Sequence, residues 1–323
     1  MQRQVRDSLQ RTLKWFIPAA IVFALVYSIS ESKQEQLVVT EPGLSDEELL
    51  TDLYERGYFA NALSYNVVRI AVALGVDVDP GAFSLKKGMG AFSFLAAVSS
   101  PEYRYITVQE GLRSEQIATI VAKEMGWTEE EKNRFINNLP LCVYTGGEGY
   151  FFPGVYLVHK TETPEMVRQR MELRLKEALT DLASEQTTAV LNVRQILTIA
   201  SLIQREAAGK GDMKLISGVI WNRLFQEMPL QIDATLQYVK AENTDVWWPQ
   251  VKSKDKYLES PYNTYSNKGL PPGPIANPGR DAIEAALNPI DTSCLFYIHD
   301  NARNIHCAST YDAHKRNISY YLK

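Results

Sequence analysis

Val193-Arg-Gln-Ile-Leu-Thr-Ile-Ala-Ser-Leu-Ile-Gln-Arg-Glu-Ala-Ala208 is the most informative segment of the chain. Ile196, Ile199, Ala200, Ile203 and Ala207 recur at 3.6-residue spacing, which predicts a helix with one buried face, stopped by Gly209 and Gly211. Glu206 falls three residues after Ile203 and seven after Ile199, at the edge of that apolar stripe. Loss of water at such a margin raises a carboxyl pKa and keeps it protonated near neutral pH, as a general acid requires. The plainer alternative is an edge glutamate paired with a local cation.

Downstream, Lys214 to Gln226 predicts another helix, ended by Pro229. In Leu230-Gln-Ile-Asp-Ala-Thr235 the alternation predicts a short strand with Gln231, Asp233 and Thr235 on one hydrogen-bonding face. Such a face beside a candidate acid suits a sugar, although a solvent-facing strand would look the same. Tyr262-Asn-Thr-Tyr265, Gly269-Leu-Pro-Pro-Gly-Pro-Ile275 and Asn277-Pro-Gly279 combine aromatics with a stiff proline-rich turn, expected to form a rigid cleft wall. Asp281 to Asn288 is then a helix stopped by Pro289.

Upstream, Pro164 to Leu182 reads as a helix, Glu148 to Tyr156 as an aromatic segment, Glu115 to Met125 as a helix and Tyr103 to Val108 as a strand. Nearer the N-terminus come a strand at Leu37–Thr40 and helices at Asp46–Arg56 and about Tyr65–Leu74. A strand at Pro80–Leu85 and a helix at Met89–Val98 come next. This order makes a small α+β unit with no obvious chemical side chains, followed by a larger α+β domain. Binding or spacing is the natural expectation for the smaller unit.

The chain has 323 residues, 45% of them apolar and 22% charged, which is globular composition and argues against disorder or a multi-span membrane protein. The formal charge of −4 makes a nucleic-acid partner improbable. It is unevenly spread. Arg3, Arg6, Arg11 and Lys14 against Asp7 give the first fourteen residues +3, leaving −7 for the rest. Directly after them, residues 15 to 30 carry no charge. At about 1.5 Å per residue they reach about 24 Å as a helix, slightly short of a bilayer core of roughly 30 Å. A retained anchor with Trp15 and Tyr27 at the interfaces and a cleaved signal ending at Ser28-Ile-Ser30 both fit, and both export the residues from about 31 onward.

Three cysteines are too few for a disulfide framework. If residues 295–300 and 305–310 form a hairpin, Cys294 and Cys307 fall nearly opposite each other, so one disulfide is geometrically open. His306 and His314 with Cys307 invite a metal or thiol reading, but strand alternation separates His306 from Cys307. The expectation is that His306 reaches the cleft and His314 is structural. Trp247-Trp248 either stacks on sugar rings or anchors its charged loop.

These segments occur in a particular order. Ala200-Ser-Leu-Ile-Gln-Arg-Glu206, Asn222-Arg-Leu224, Leu230–Thr235, Ser260-Pro-Tyr-Asn-Thr-Tyr265, Gly269–Ile275, Asn277-Pro-Gly279 and His306 to His314 resemble the endolytic murein transglycosylases, the MltG or YceG-like family. Val108-Gln-Glu-Gly111 and Glu148-Gly-Tyr-Phe-Phe-Pro153 look similar too. The chain departs from the family pattern at Gly154, Ala234 and Ala308.

The resemblance implies an α+β fold with a cytoplasmic tail (1–14), a transmembrane helix (15–30), a tether (31–36), a LysM-like module (37–102) and a catalytic domain (103–323). It implies that Glu206 is the catalytic acid. Joined to the polar face and the proline wall, it makes Gln231, Asp233, Thr235, Tyr262, Asn263, Thr264, Tyr265, Pro271, Pro272, Gly273, Asn277, His306 and Glu148 the candidate substrate-binding residues. No cofactor or metal is expected. The implied partners are peptidoglycan glycan strands, the cytoplasmic membrane and possible peptidoglycan synthases. The implied reaction cuts the β-1,4 bond after N-acetylmuramic acid and leaves a 1,6-anhydro end. Two rivals stay open: a muramidase in which Asp233 activates water, and a non-catalytic wall-binding scaffold.

Overall fold

The computed structural model describes residues 34–78, 80–99, 101–137, 147–182, 191–241 and 246–322. The expected tail, the apolar segment, the first half of the tether and Cys142 lie outside them. Among the described residues no helix is long and apolar enough to cross a membrane. The fold is α+β, and the described residues fall into two compact units: 34–106 with 155–162, and 107–154 with 163–322. The first unit therefore takes in more than the expected 37–102, because a later strand completes its sheet.

That sheet has the order β1 (Gln36–Val39), β2 (Gly81–Leu85), β3 (Tyr103–Val108), β4 (Gly154–His159). β1 and β2 run antiparallel with Val38 opposite Phe83. β2 and β3 are antiparallel, with Gly81 opposite Arg104. A Cβ at Gly81 would lie 2.4 Å from the carbonyl oxygen of Tyr103, so only glycine fits there. Helices α1 (Asp46–Glu55), α2 (Ala62–Ala73) and α3 (Ala91–Val98) complete the layer. Ser45 and Glu48 cap α1 reciprocally. Leu49, Leu50, Leu53, Val68, Phe83 and Phe94 form the core.

In the second unit, α4 (Ser114–Met125), α5 (Glu129–Asn137) and α6 (Pro164–Leu182) precede α7 (Val193–Glu206). The helix forms as its spacing predicts, but it is buried on every side rather than along one face: the eight consecutive residues from Ile196 to Ile203 are all buried, while Ala207, a member of the stripe, is only half-buried. Asn192 and Gln195 form the capping box that starts the helix. Around α7 pack α8 (Met213–Phe225), α9 (Asp233–Ala241) and α10 (Arg280–Leu287), with α10 making the most extensive contact. A hairpin, β5 (Phe296–His299) with β6 (Ile305–Ala308), and α11 (Tyr311–Tyr321) end the chain.

The expected strand at Leu230–Thr235 is not formed. Residues 230–232 are irregular, and α9 starts at Asp233. Thr235 is fully buried, its hydroxyl bonded to the carbonyl of Ile232 at 2.7 Å and to Thr264 at 3.0 Å. The polar alternation was therefore the first turn of a helix, with Asp233 at its positive end.

The proline-rich turn is laid along α7. Arg194 Nε donates to the carbonyl of Pro272 (2.8 Å), the amide of Ile275 donates to Ser201 Oγ (3.1 Å), and the amide of Gly279 donates to Gln204 Oε1 (3.0 Å). A Cβ at Gly279 would strike the Glu110 carboxyl at 2.1 Å. Prolines cannot donate from their own nitrogens, so three polar residues of the helix meet the groups this turn leaves free.

Candidate active site

Glu206 is the last residue of α7 and opens onto a cavity of about 700 Å³. From α8 come Val219, Ile220 and Arg223, from the irregular segment Leu230, Gln231 and Ile232, and from the start of α9 Asp233. Lys256, Tyr265, Phe296, Tyr297, Tyr311 and His314 complete the lining. Burial pushes the Glu206 carboxyl above its usual range. The Tyr297 hydroxyl, donating to Oε2 at 2.7 Å, and the amide of Ala234 pull it back, and the neighbouring Asp233 carboxylate adds to the rise. Burial is the largest influence, so the group favours its acid form.

The irregular segment 230–232 exists to aim the start of α9. Gln231 takes a left-handed backbone (φ 54°), unusual for a side chain other than glycine, and donates its amide to the carbonyl of Thr264 at 3.0 Å. The amide of Ile232 donates to Thr264 Oγ1 at 2.9 Å. Asn263 holds the adjoining loop, donating to the carbonyls of Lys256 (3.1 Å) and Leu258 (2.8 Å) and accepting from the amide of Tyr265 (2.9 Å). Tyr265 is thereby placed to donate to Asp233 Oδ1 at 2.5 Å. Burial and that carboxylate hold the phenol well above its ordinary range, so it stays a donor.

Much of the remaining lining is aromatic. His314 stacks against Phe296 (ring centroids 5.2 Å apart, 26° between planes), and Tyr311 lies 5.8 Å from Phe296. Tyr311 remains 60% exposed. Desolvation, assisted by Arg223, lowers the His314 pKa, so the ring is neutral near pH 7.

Of the residues expected to meet substrate, the cavity brings together Glu206, Gln231, Asp233 and Tyr265. The others do not line it. Thr235, Asn263 and Thr264 are buried supports of the two loops just described. Tyr262 packs against Tyr238, ring centroids 4.9 Å apart. Pro271 and Gly273 are buried, and Pro272 gives its carbonyl to α7. Asn277 is fully buried, donating to the carbonyl of Leu112 (3.0 Å) and to Glu148 Oε1 (2.9 Å) while accepting from the amide of Phe151 (2.8 Å). Glu148 also accepts from the amide of Ser114 at 3.0 Å.

The two histidines exchange their expected places. His306 bonds to Asp300 (2.9 Å) and stacks on Tyr321 with centroids 3.5 Å apart, away from the cavity. His314 lines it. Cys294 and Cys307 are joined in a disulfide, the pairing left open by the sequence, so Cys307 supplies no thiolate. Trp248 covers the Arg205 guanidinium at 3.8 Å from its ring centroid and Trp247 faces Arg113, which fits the loop-anchor alternative.

Sequence reasoning missed Tyr297, Arg223, Phe296, Tyr311 and Lys256. It also missed His299, which bonds to Asp212 at 2.7 Å beside Glu206. Tyr297 and His299 alternate on β5, and that spacing next to a second histidine-bearing strand was the available signal.

The profile of the YceG-like family matches residues 38–320. The chain belongs to that family. A Bacillus subtilis (strain 168) protein named endolytic murein transglycosylase is 32% identical over 265 residues, covering 75% of this chain and 72% of its own length. A Streptococcus pneumoniae (D39) protein of the same name is 27% identical over 328 residues. That match takes in 91% of this chain but only 59% of the pneumococcal one. Among solved structures, a 2.6 Å crystal structure of a yceG-like protein from Listeria monocytogenes superposes with a TM-score of 0.65. It covers 88% of this chain and 99% of its own at 24% identity, a likeness of fold. The YceG-like match spans both compact units.

Proposed function

We propose that the chain is an endolytic murein transglycosylase in which Glu206 is the sole proton carrier. The observation that carries this reading is a desolvated carboxyl, held toward its acid form, in a cavity faced by aromatic rings. Rings of this kind stack on the apolar faces of pyranoses. Glu206 gives its proton to the glycosidic oxygen O4 as the bond from C1 of N-acetylmuramic acid breaks. The muramyl O6 then bonds to C1, and its proton passes to the Glu206 carboxylate, which restores the acid. No water is consumed, and the product ends in a 1,6-anhydro ring.

Relatives named endolytic murein transglycosylase support this reading. The basic start and the uncharged residues 15–30 support a single-pass anchor with the catalytic unit outside the cytoplasmic membrane. The Cys294–Cys307 disulfide fits an oxidising compartment. We read the first unit as a LysM-like wall-binding module and the activity as a limit on nascent strand length, with peptidoglycan synthases as partners.

The test is to incubate the detergent-solubilised chain with purified peptidoglycan and analyse released muropeptides by mass. Anhydro ends, lighter than reducing ends by one water, are expected. Glu206→Gln should lower their release by about 10²- to 10⁴-fold with an unchanged melting temperature. Normal release by that variant would remove Glu206 from the chemistry. Reducing ends would instead favour water activation by Asp233, and binding without release would favour a scaffold.

A further inference from the structure

We propose that Tyr297 is a positioning residue that fixes which oxygen of Glu206 carries the transferable proton and stabilises the carboxylate left when that proton departs. The inference rests on the reading of Glu206 as the acid and adds to it a group contributed by a distant part of the chain.

Tyr297 is held from three directions. Across the β5–β6 register it faces Cys307, whose sulfur is bonded to Cys294 at the base of the same hairpin. That base is tied to α8, where Asn222 Nδ2 donates to the carbonyls of Thr292 (2.7 Å) and Cys294 (3.1 Å) and Arg223 Nε donates to the carbonyl of Leu295 (2.7 Å). At the tip, the phenol donates to Glu206 Oε2. Burial and the nearby Glu206 charge suppress ionisation of the phenol, so it remains a donor at neutral pH. With Oε2 accepting from Tyr297, the proton of the acid form is favoured on Oε1, while the amide of Ala234 also donates to the carboxyl.

The same bond acts during reaction. As Glu206 loses its proton, negative charge develops on the carboxyl, and a neutral hydrogen bond becomes a charge-assisted one, roughly twice as strong. Tyr297 therefore favours the transition state over the ground state, which is what raises turnover. It also opposes burial, keeping the acid weak enough to stay protonated yet strong enough to give the proton up. The other charged or titratable groups facing Glu206 are Asp233 at the start of α9, His299 on β5, Arg223 on α8, Arg205 on α7 and Tyr265.

The test uses the full chain in detergent and its Tyr297→Phe variant, acting on soluble uncrosslinked glycan strands across pH 4 to 9. Turnover should fall on the order of 10- to 100-fold with KM nearly unchanged. The alkaline limb of the profile should move to higher pH, since a donor to the charged form has been lost. In substrate-free protein, the carboxyl ¹³C resonance of Glu206, assigned by its loss in Glu206→Gln, should titrate at higher pH in Tyr297→Phe. A variant with the wild-type melting temperature, an unmoved limb and an unmoved carboxyl titration overturns the proposal. So does a rate loss that follows only a lower melting temperature or a higher KM. Absence of anhydro product from the wild type would sink Glu206 as the glycosidic acid, and the carboxyl titration would still decide whether Tyr297 governs its proton.

Discussion

Glu206 and Asp233 occupy one cavity, and the Asp233 charge makes Glu206 harder to ionise. Removing the Asp233 charge should therefore act opposite to removing Tyr297. In Asp233→Asn, Glu206 loses a like-charge neighbour and its pKa falls, so the alkaline limb of anhydro-product release moves to lower pH. A pH–rate profile checks this, and products that keep their anhydro ends separate an electrostatic Asp233 from a water-activating one. Glu206 was legible in the sequence because a single periodicity, read along one helix, placed it at a buried margin. Tyr297 lies 91 residues later and His314 farther still, and no local pattern couples residues that meet only after folding. Most of the expected contact residues proved to be supports for the same reason: motif segments show which residues belong together, without showing which face the cavity.

At the scale of elements, long apolar periodicities were readable and short polar ones were not. α6 and α7 follow from helix formers and a repeating stripe. Six residues, 230–235, fit both a strand and the entry to a helix, and the favourable end of α9 settles the choice with Asp233 in its first turn. α11 gave no stripe at all: none of its residues is buried, and Thr310, accepting from the amide of Ala313 at 3.2 Å, starts it. The β5–β6 hairpin has only two strands, marginal on its own, and its disulfide closes a loop over a separation of 13 residues. Reduction should cost about 3 kcal/mol. Urea denaturation with and without a dithiol reductant measures it. Because the hairpin carries Tyr297, the reduced protein should lose anhydro-product release before it unfolds globally.

Across the whole molecule, a second buried carboxyl links stability to pH. Burial pushes Glu148 up to about 8, with help from Glu115 and against Arg113 and the donors of Ser114. An unfolded glutamate titrates near about 4.3, so between these values the folded chain binds the proton and the unfolded chain does not. Its contribution is full below that lower value and is lost as the pH rises through 8, at no more than about 1.4 kcal/mol per pH unit. Glu148→Gln, neutral throughout, should flatten the decline of the urea midpoint between pH 5 and 8. An equal decline in the variant would assign the pH dependence elsewhere.

The path of the chain between its units bears on how the protein can be made and cut. β3 leaves one edge of the first sheet for β4, yet residues 109–153 are synthesised before β4 begins. The N-terminal module cannot finish its sheet while it emerges. Any piece ending near 106 presents an open strand edge, which is a template for association with other chains. If the chain crosses a membrane in an extended form, as the proposed anchor requires, that dependence makes the first unit a late step of folding rather than an early one. Its completion is then tied to the segment that lies between its two halves.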